Sequence, residues 1–196
     1  MLTKKEAEKL MKIEGEARGV AIRDDLNFVL EYKGKEALKK VEDKMAELGY
    51  PLKHKEIKPM DFYPIGLSIA SVLIIKELFN FKEEDFKKWG ASVVKFSIFM
   101  KIFMKYFGSF KLIAEQIPSM WRRHYTIGSL EMPKFSKEKR YVILRLRDYK
   151  IISSQCSVFK GYFSKVCEMV IKSSVTCKET KCMFKGDKYH EFLLTW

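Results

Sequence analysis

Residues 173–196 read SSVTCKETKCMFKGDKYHEFLLTW, and this stretch decides the fold. Ser173–Phe184 and Tyr189–Trp196 read as two strands, with Lys185-Gly186-Asp187-Lys188 as the tight turn between them. A short Gly-containing loop between two such runs specifies an antiparallel hairpin. Immediately upstream, Cys156–Ile171 reads as a helix, with Val158, Phe159, Tyr162, Phe163 and Val166 clustered on it. Before that, Tyr141, Ile143 and Leu144–Leu146 alternate with Arg145 and Arg147, so Arg140–Asp148 reads as another strand.

The chain ahead of this part reads as helical. Residues 3–14 form a short charged helix, which a single-domain reading of 1–196 treats as an N-terminal arm (1–14). Leu26–Tyr32 fits either helical spacing or strand alternation. Lys35–Leu48 is a helix stopped by Gly49-Tyr50-Pro51, and Tyr63-Pro64 opens another with Leu67, Ala70, Ile74 and Leu78 on one face. Phe81–Trp89 is a short helix with acidic residues in its first turn, followed by a long apolar helix Ala91–Phe107 and a third over Ser109–Arg123, interrupted at Pro118. Helices first, then strand–helix–strand–strand, predict an α+β fold in which N-terminal helices pack on a small antiparallel sheet.

The chain has 196 residues, 47% hydrophobic and 32% charged, enough to build a core and to exclude disorder. Four cysteines are too few for a disulfide scaffold. The N-terminus is charged from its fourth residue, which is not the pattern of a signal peptide. The apolar run Ile65–Ile75 spans 11 residues, against the roughly 20 that a membrane helix needs. A cytoplasmic location is the resulting expectation. Residues 1–94 carry 18 Lys and Arg against 17 Asp and Glu, whereas residues 95–196 carry 20 against 8. Such asymmetry points to nucleic acid, an anionic membrane or an acidic partner, or to a merely solvated basic face. Lys139, Arg140, Arg145 and Arg147, with Phe135, Tyr141 and Tyr149 interleaved, are the candidate residues for that alternative function.

The tail also has the residue types of a metal site. The hairpin sets Cys182 about opposite His190, and Cys177, Cys182 and His190 are candidate zinc ligands, with Cys156 or Cys167 as further donors. Cys177 and Cys182 differ by five, so on a regular strand they face opposite sides, and a bulge is needed to bring them together. Phe96, Phe99, Phe103 and Phe107, with Met100, recur at helical spacing and are candidates to line an apolar pocket; a plain core stripe is the alternative. Trp121, Arg122, His124 and Tyr125 would supply its polar rim. The chain has no G-x-S-x-G, H-E-x-x-H, P-loop or dinucleotide fingerprint, so no enzyme activity is expected.

The tail, with Cys182, Gly186, Asp187, Phe192 and Trp196 in order, resembles the end of the vinyl-reductase-like small-molecule-binding domain. Arg18-Gly19, Phe62-Tyr63-Pro64, Trp89-Gly90, Trp121-Arg122-Arg123-His124-Tyr125, Gly128, Cys156 and Gly161 are similar to a myxobacterial branch of the same superfamily, so the resemblance covers nearly the whole chain. That superfamily includes haem-based nitric-oxide sensors and trafficking-particle subunits. The resemblance implies a non-catalytic sensory or regulatory domain that binds a small apolar ligand between helices and sheet and signals as a homodimer. The sensors' Tyr-x-Ser-x-Arg motif is missing around Arg140–Ser154; Tyr162-Phe163-Ser164-Lys165-Val166 lacks the Arg, and His124 is out of register for an axial ligand. Haem is therefore not expected, and zinc is the cofactor left open.

Overall fold

A computed structural model describes residues 2–96 and 110–196. The chain divides into two compact units, residues 1–82 with 124–127, and residues 83–123 with 128–196.

In the first unit the elements are α1 (Lys4–Met11), β1 (Glu16–Arg18), α2 (Gly19–Lys33), α3 (Lys35–Glu47), β2 (Phe62–Pro64) and α4 (Ile65–Phe79). Thr3 caps α1 reciprocally with Glu6. Rather than extending as an arm, α1 packs on α4 and buries Ala7. α4 is apolar nearly all round because it is the centre of this unit: Ile65, Ile69, Ile74 and Ile75 are fully buried. The ambiguity over Leu26–Tyr32 resolves as helix, with Ile22, Leu26 and Val29 buried on one stripe. β1 pairs antiparallel with β2, Ala17 opposite Tyr63, and bridges Tyr125. The Arg18 N–H donates to the His124 carbonyl at 2.7 Å. His124 and Tyr125 thus belong to this unit through their backbones.

The second unit contains α5 (Glu83–Phe96), α6 (Phe110–Arg122), β3 (Ser129–Ser136), β4 (Tyr141–Arg147), α7 (Ser154–Ile171), β5 (Thr176–Lys181) and β6 (His190–Thr195), with a 3-10 turn at Met183–Lys185. The sheet order is β3-β4-β6-β5, all antiparallel. The α+β class holds, and this sheet has one strand more than the sequence suggested: β3 precedes β4, and its alternation is hidden by an irregularity between Glu131 and Lys134. The sheet's inner face presents Val142, Leu144, Leu146, Phe192 and Leu194, all buried.

α5 runs unbroken through Gly90, where the sequence suggested two helices. Gly90 serves close approach instead. A Cβ there would lie 1.9 Å from the Val158 carbonyl oxygen, and one at Gly161 would lie 1.9 Å from that of Lys87. α5 and α7 therefore cross backbone to backbone, with Lys160 paired to Glu83 beside the crossing.

One carboxyl in the first unit is out of place. Asp24 on α2 is 7% exposed, and burial pushes its pKa from 3.8 to about 7, against the opposing pull of Asn27 and Arg23. Because the folded value is the higher one, the folded chain keeps a proton that the unfolded chain loses, and stability falls as pH rises through that window. Asp24→Asn is expected to raise the thermal midpoint at pH 8, by up to about 4 kcal/mol of stability, and to change little at pH 4; equal effects at both pH values would refute this. Gly161→Ala is expected to destabilise the chain by about 3 kcal/mol in denaturant titration, because backbone on α5 must move.

Candidate functional site

Two features of the second unit have the chemistry of a site. The first is a polar cluster under the hairpin. Cys156 comes from the first turn of α7, Glu179 from β5, Cys182 from the residue after β5, and His190 from the first position of β6. Their donor atoms all lie within 4.8 Å of one another. Cys156 Sγ is 3.9 Å from Cys182 Sγ and 3.7 Å from His190 Nδ1, and Glu179 Oε1 is 3.0 Å from His190 Nδ1. Cys156, Cys182 and His190 are buried.

Strand register explains this membership. A bulge between Glu179 and Lys181 inserts one residue, so Lys178 and Thr180 turn to solvent while Cys177, Glu179 and Cys182 turn inward. Cys177 shares the inner face but pairs with Leu194, while Glu179 pairs with Phe192 and lies one inward step nearer the turn. That step is roughly 6.6 Å along the strand. Cys177 therefore sits outside the cluster, and of the three suggested ligands the structure brings together Cys182 and His190. Cys156 takes the third place. Glu179 was missed because its inward direction depends on the bulge. Asp187 fixes the turn, its Oδ2 accepting the Cys182 N–H at 2.8 Å.

The electrostatics suit a cation. Burial, reinforced by the Glu179 carboxylate and Cys182, pushes the Cys156 thiol far above its ordinary range. For Glu179, burial pulls upward, but hydrogen bonds from His190, Cys156 and Cys182 outweigh it and hold the carboxyl below its usual value. The two ring nitrogens of His190 both face oxygens, Glu179 Oε1 on one side and the Tyr149 carbonyl 3.2 Å from Nε2 on the other. A neutral ring donates to one of them only. A metal at Nδ1 would bind the ring and the carboxylate together and leave Nε2–H for Tyr149, the usual outer-shell arrangement of a ligating histidine. A tetrahedral zinc ion needs donor separations of roughly 3.3–3.8 Å, close to those present.

The second feature is a half-open apolar cavity of about 50 Å³ between α6, α7 and the sheet. Ile113 and Ile117 line it from α6, Met132 from β3, Val142 and Leu144 from β4, Leu194 from β6, and Phe163, Val166, Cys167 and Val170 from α7. No lining side chain carries nitrogen or oxygen. The wall it exposes is wholly apolar, which favours an apolar guest.

The sequence-suggested pocket residues lie elsewhere. Phe99, Met100, Phe103 and Phe107 are outside the described residues, and Phe96 is the last residue of α5. Trp121 is buried against Tyr149 and Phe159 without lining the cavity. Arg122 is exposed at the end of α6, while His124 and Tyr125 belong to the first unit.

Half of the basic stretch is neutralised. Arg145 and Arg147 share one strand face, as alternation requires, but Arg145 pairs with Glu191 at 3.0 Å and Glu131 at 3.5 Å, and Arg147 with Glu131 at 3.2 Å. Both guanidinium groups lie over the Tyr189 ring, at 4.3 and 4.8 Å. Lys139 and Arg140 are in the exposed β3–β4 turn. Arginines already paired in this way are poor phosphate clamps, and docking of nucleic acid or an anionic membrane through this face is not favoured. No helix among the described residues is long and apolar enough to cross a membrane.

No family model and no curated protein matches the sequence. Solved structures do match the fold. An H-NOX protein from S. oneidensis in the Fe(II)NO ligation state aligns with a TM-score of 0.66 at 11% identity, covering 90% of this chain and 97% of that one. An Fe(II) unliganded H-NOX protein from K. algicida gives 0.61 at 10% identity, covering 91% and 95%. A structure described under "Modulating Heme Redox Potential Through Protein-Induced Porphyrin Distortion" gives 0.61 at 12% identity, covering 91% and 99%. The chain thus has an H-NOX-like α+β fold. The vinyl-reductase-like and myxobacterial resemblances find no support in these comparisons.

Proposed function

We propose that this chain is a non-catalytic sensory module whose second unit receives a small apolar ligand. The observation that carries this reading is the cavity walled by carbon and sulfur alone, on a fold shared with ligand-binding H-NOX proteins. Binding there draws on removal of apolar surface from water, roughly 25 cal/mol per Å². Cys156 and Cys167 do not supply an activated nucleophile, since burial holds both thiols protonated.

The neighbours weigh against excluding haem on sequence motifs. The expectation that haem is absent therefore does not stand. Within this pocket the donors available to iron are Met132 and Cys167, and burial pushes the Cys167 thiol up to about 12, where it remains protonated, so this pocket is read as a place for an apolar ligand and not for haem iron.

Xenon is a suitable apolar probe of the cavity. Xenon NMR on the purified chain is expected to show saturable binding, abolished by Val166→Phe, which fills the space. Absence of saturable binding in the parent chain would overturn the apolar-ligand reading.

A second component is favoured by the polar cluster. Cys156, Cys182, His190 and Glu179 would hold one zinc ion, two thiolates, an imidazole and a carboxylate forming a closed set of structural type. Both thiols must lose protons to bind, so affinity falls as pH falls, by up to about 100-fold per unit below the thiol range. Zinc measured by elemental analysis is expected at one equivalent in the parent and in Cys177→Ser, and to be lost in Cys156→Ser and Cys182→Ser. Loss on changing Cys177 with retention on changing Cys156 would assign the ligands otherwise.

A further inference from the structure

The polar cluster and the apolar cavity are built on the same two elements. α7 supplies Cys156 to the one and Phe163 and Val170 to the other, at a spacing of seven residues. Seven residues are close to two helical turns, so all three share one face, the face toward the sheet. β6 supplies His190 to the cluster and Leu194 to the cavity, with Phe192 between them on the same inner face. The Phe192 ring lies 5.2 Å from that of Phe163 and 6.4 Å from that of His190.

The opposite side of α7 is held by backbone contact with α5, at Val158 and at Gly161. Gly161 is two residues from Phe163, about 200° around the helix, and there the α7 backbone rests against the Lys87 carbonyl of α5. Cys156 lies five residues before this contact and Val166 five residues after it. A helix held at its middle behaves as a lever. Motion of its first turn toward the sheet tilts its second half away.

We propose that metal at the cluster and ligand in the cavity are thermodynamically linked through α7, pivoting at Gly161. The inference rests on the apolar-ligand and metal readings above. An ion drawing Cys156 toward Cys182 and His190 moves the first turn of α7 inward. The Phe163–Val170 half then moves outward, and the cavity widens. The metal therefore favours the ligand, and by reciprocity the ligand favours the metal by the same factor.

The test uses the full chain, zinc-loaded and chelator-stripped, with xenon as the cavity probe. Xenon affinity is expected to be at least about fivefold higher in the zinc form. Zinc affinity should rise by the same factor under saturating xenon. In Cys156→Ser the difference between zinc and chelator should vanish while xenon still binds. Equal xenon affinities in a chain that binds both zinc and xenon would overturn the linkage and leave the ligand reading standing. No xenon binding in either state would overturn both. Failure of the parent to bind zinc would overturn the linkage alone.

Discussion

The second unit depends on the contact between α5 and α7, where two backbones meet with no side chain between them. Gly90 faces the Val158 carbonyl and Gly161 faces the Lys87 carbonyl, each too close for a Cβ. Close approach of this kind fixes the position of α7 along and around its axis, since a shift of one residue would drive a side chain into backbone. Both candidate sites of this unit follow from where α7 is held. Its first turn delivers Cys156 under the hairpin, and its sheet-facing side closes the cavity over Val142, Leu144 and Leu194.

Elements with their own periodicity were readable in the sequence, and elements defined by a partner were not. β4 alternates cleanly, and α3 and α7 carry helical stripes, so their existence follows from hydrophobic spacing alone. β1 and β2 are three residues each and exist because they pair with one another. β3 contains Pro133 and a register irregularity, which erases the alternation that marks a strand. Gly90 looked like a helix end because glycine commonly ends helices, whereas here it answers to a neighbouring carbonyl. The stretch Trp121–Tyr125 read as one motif, yet the boundary between units falls between Arg123 and His124.

The site was half legible for the same reason. Cys182 and His190 flank a short turn, and local geometry suffices to bring them together. Cys156 required knowledge of where the helix lands on the sheet. Glu179 required the bulge, which reverses strand parity between positions 179 and 182. One inserted residue therefore converts a thiol–imidazole pair with a distant third cysteine into a compact set with a carboxylate.

Charge placement follows from strand register in a similar way. The second half of the chain carries 20 cations and 8 anions, which on composition alone suggests a polyanion partner. The few anions are not scattered. Glu131 on β3 and Glu191 on β6 both lie directly opposite Arg145 in the sheet register, one on each side. Cross-strand neighbours of opposite charge stabilise the ladder, and an arginine with a carboxylate on either flank has its fork occupied. Tyr189 then covers the same guanidinium from above, with Lys181 Nζ donating to its hydroxyl at 2.7 Å. The most ordered cations of this half thus hold the outer face of the sheet together, and their number overstates what is free to meet a partner.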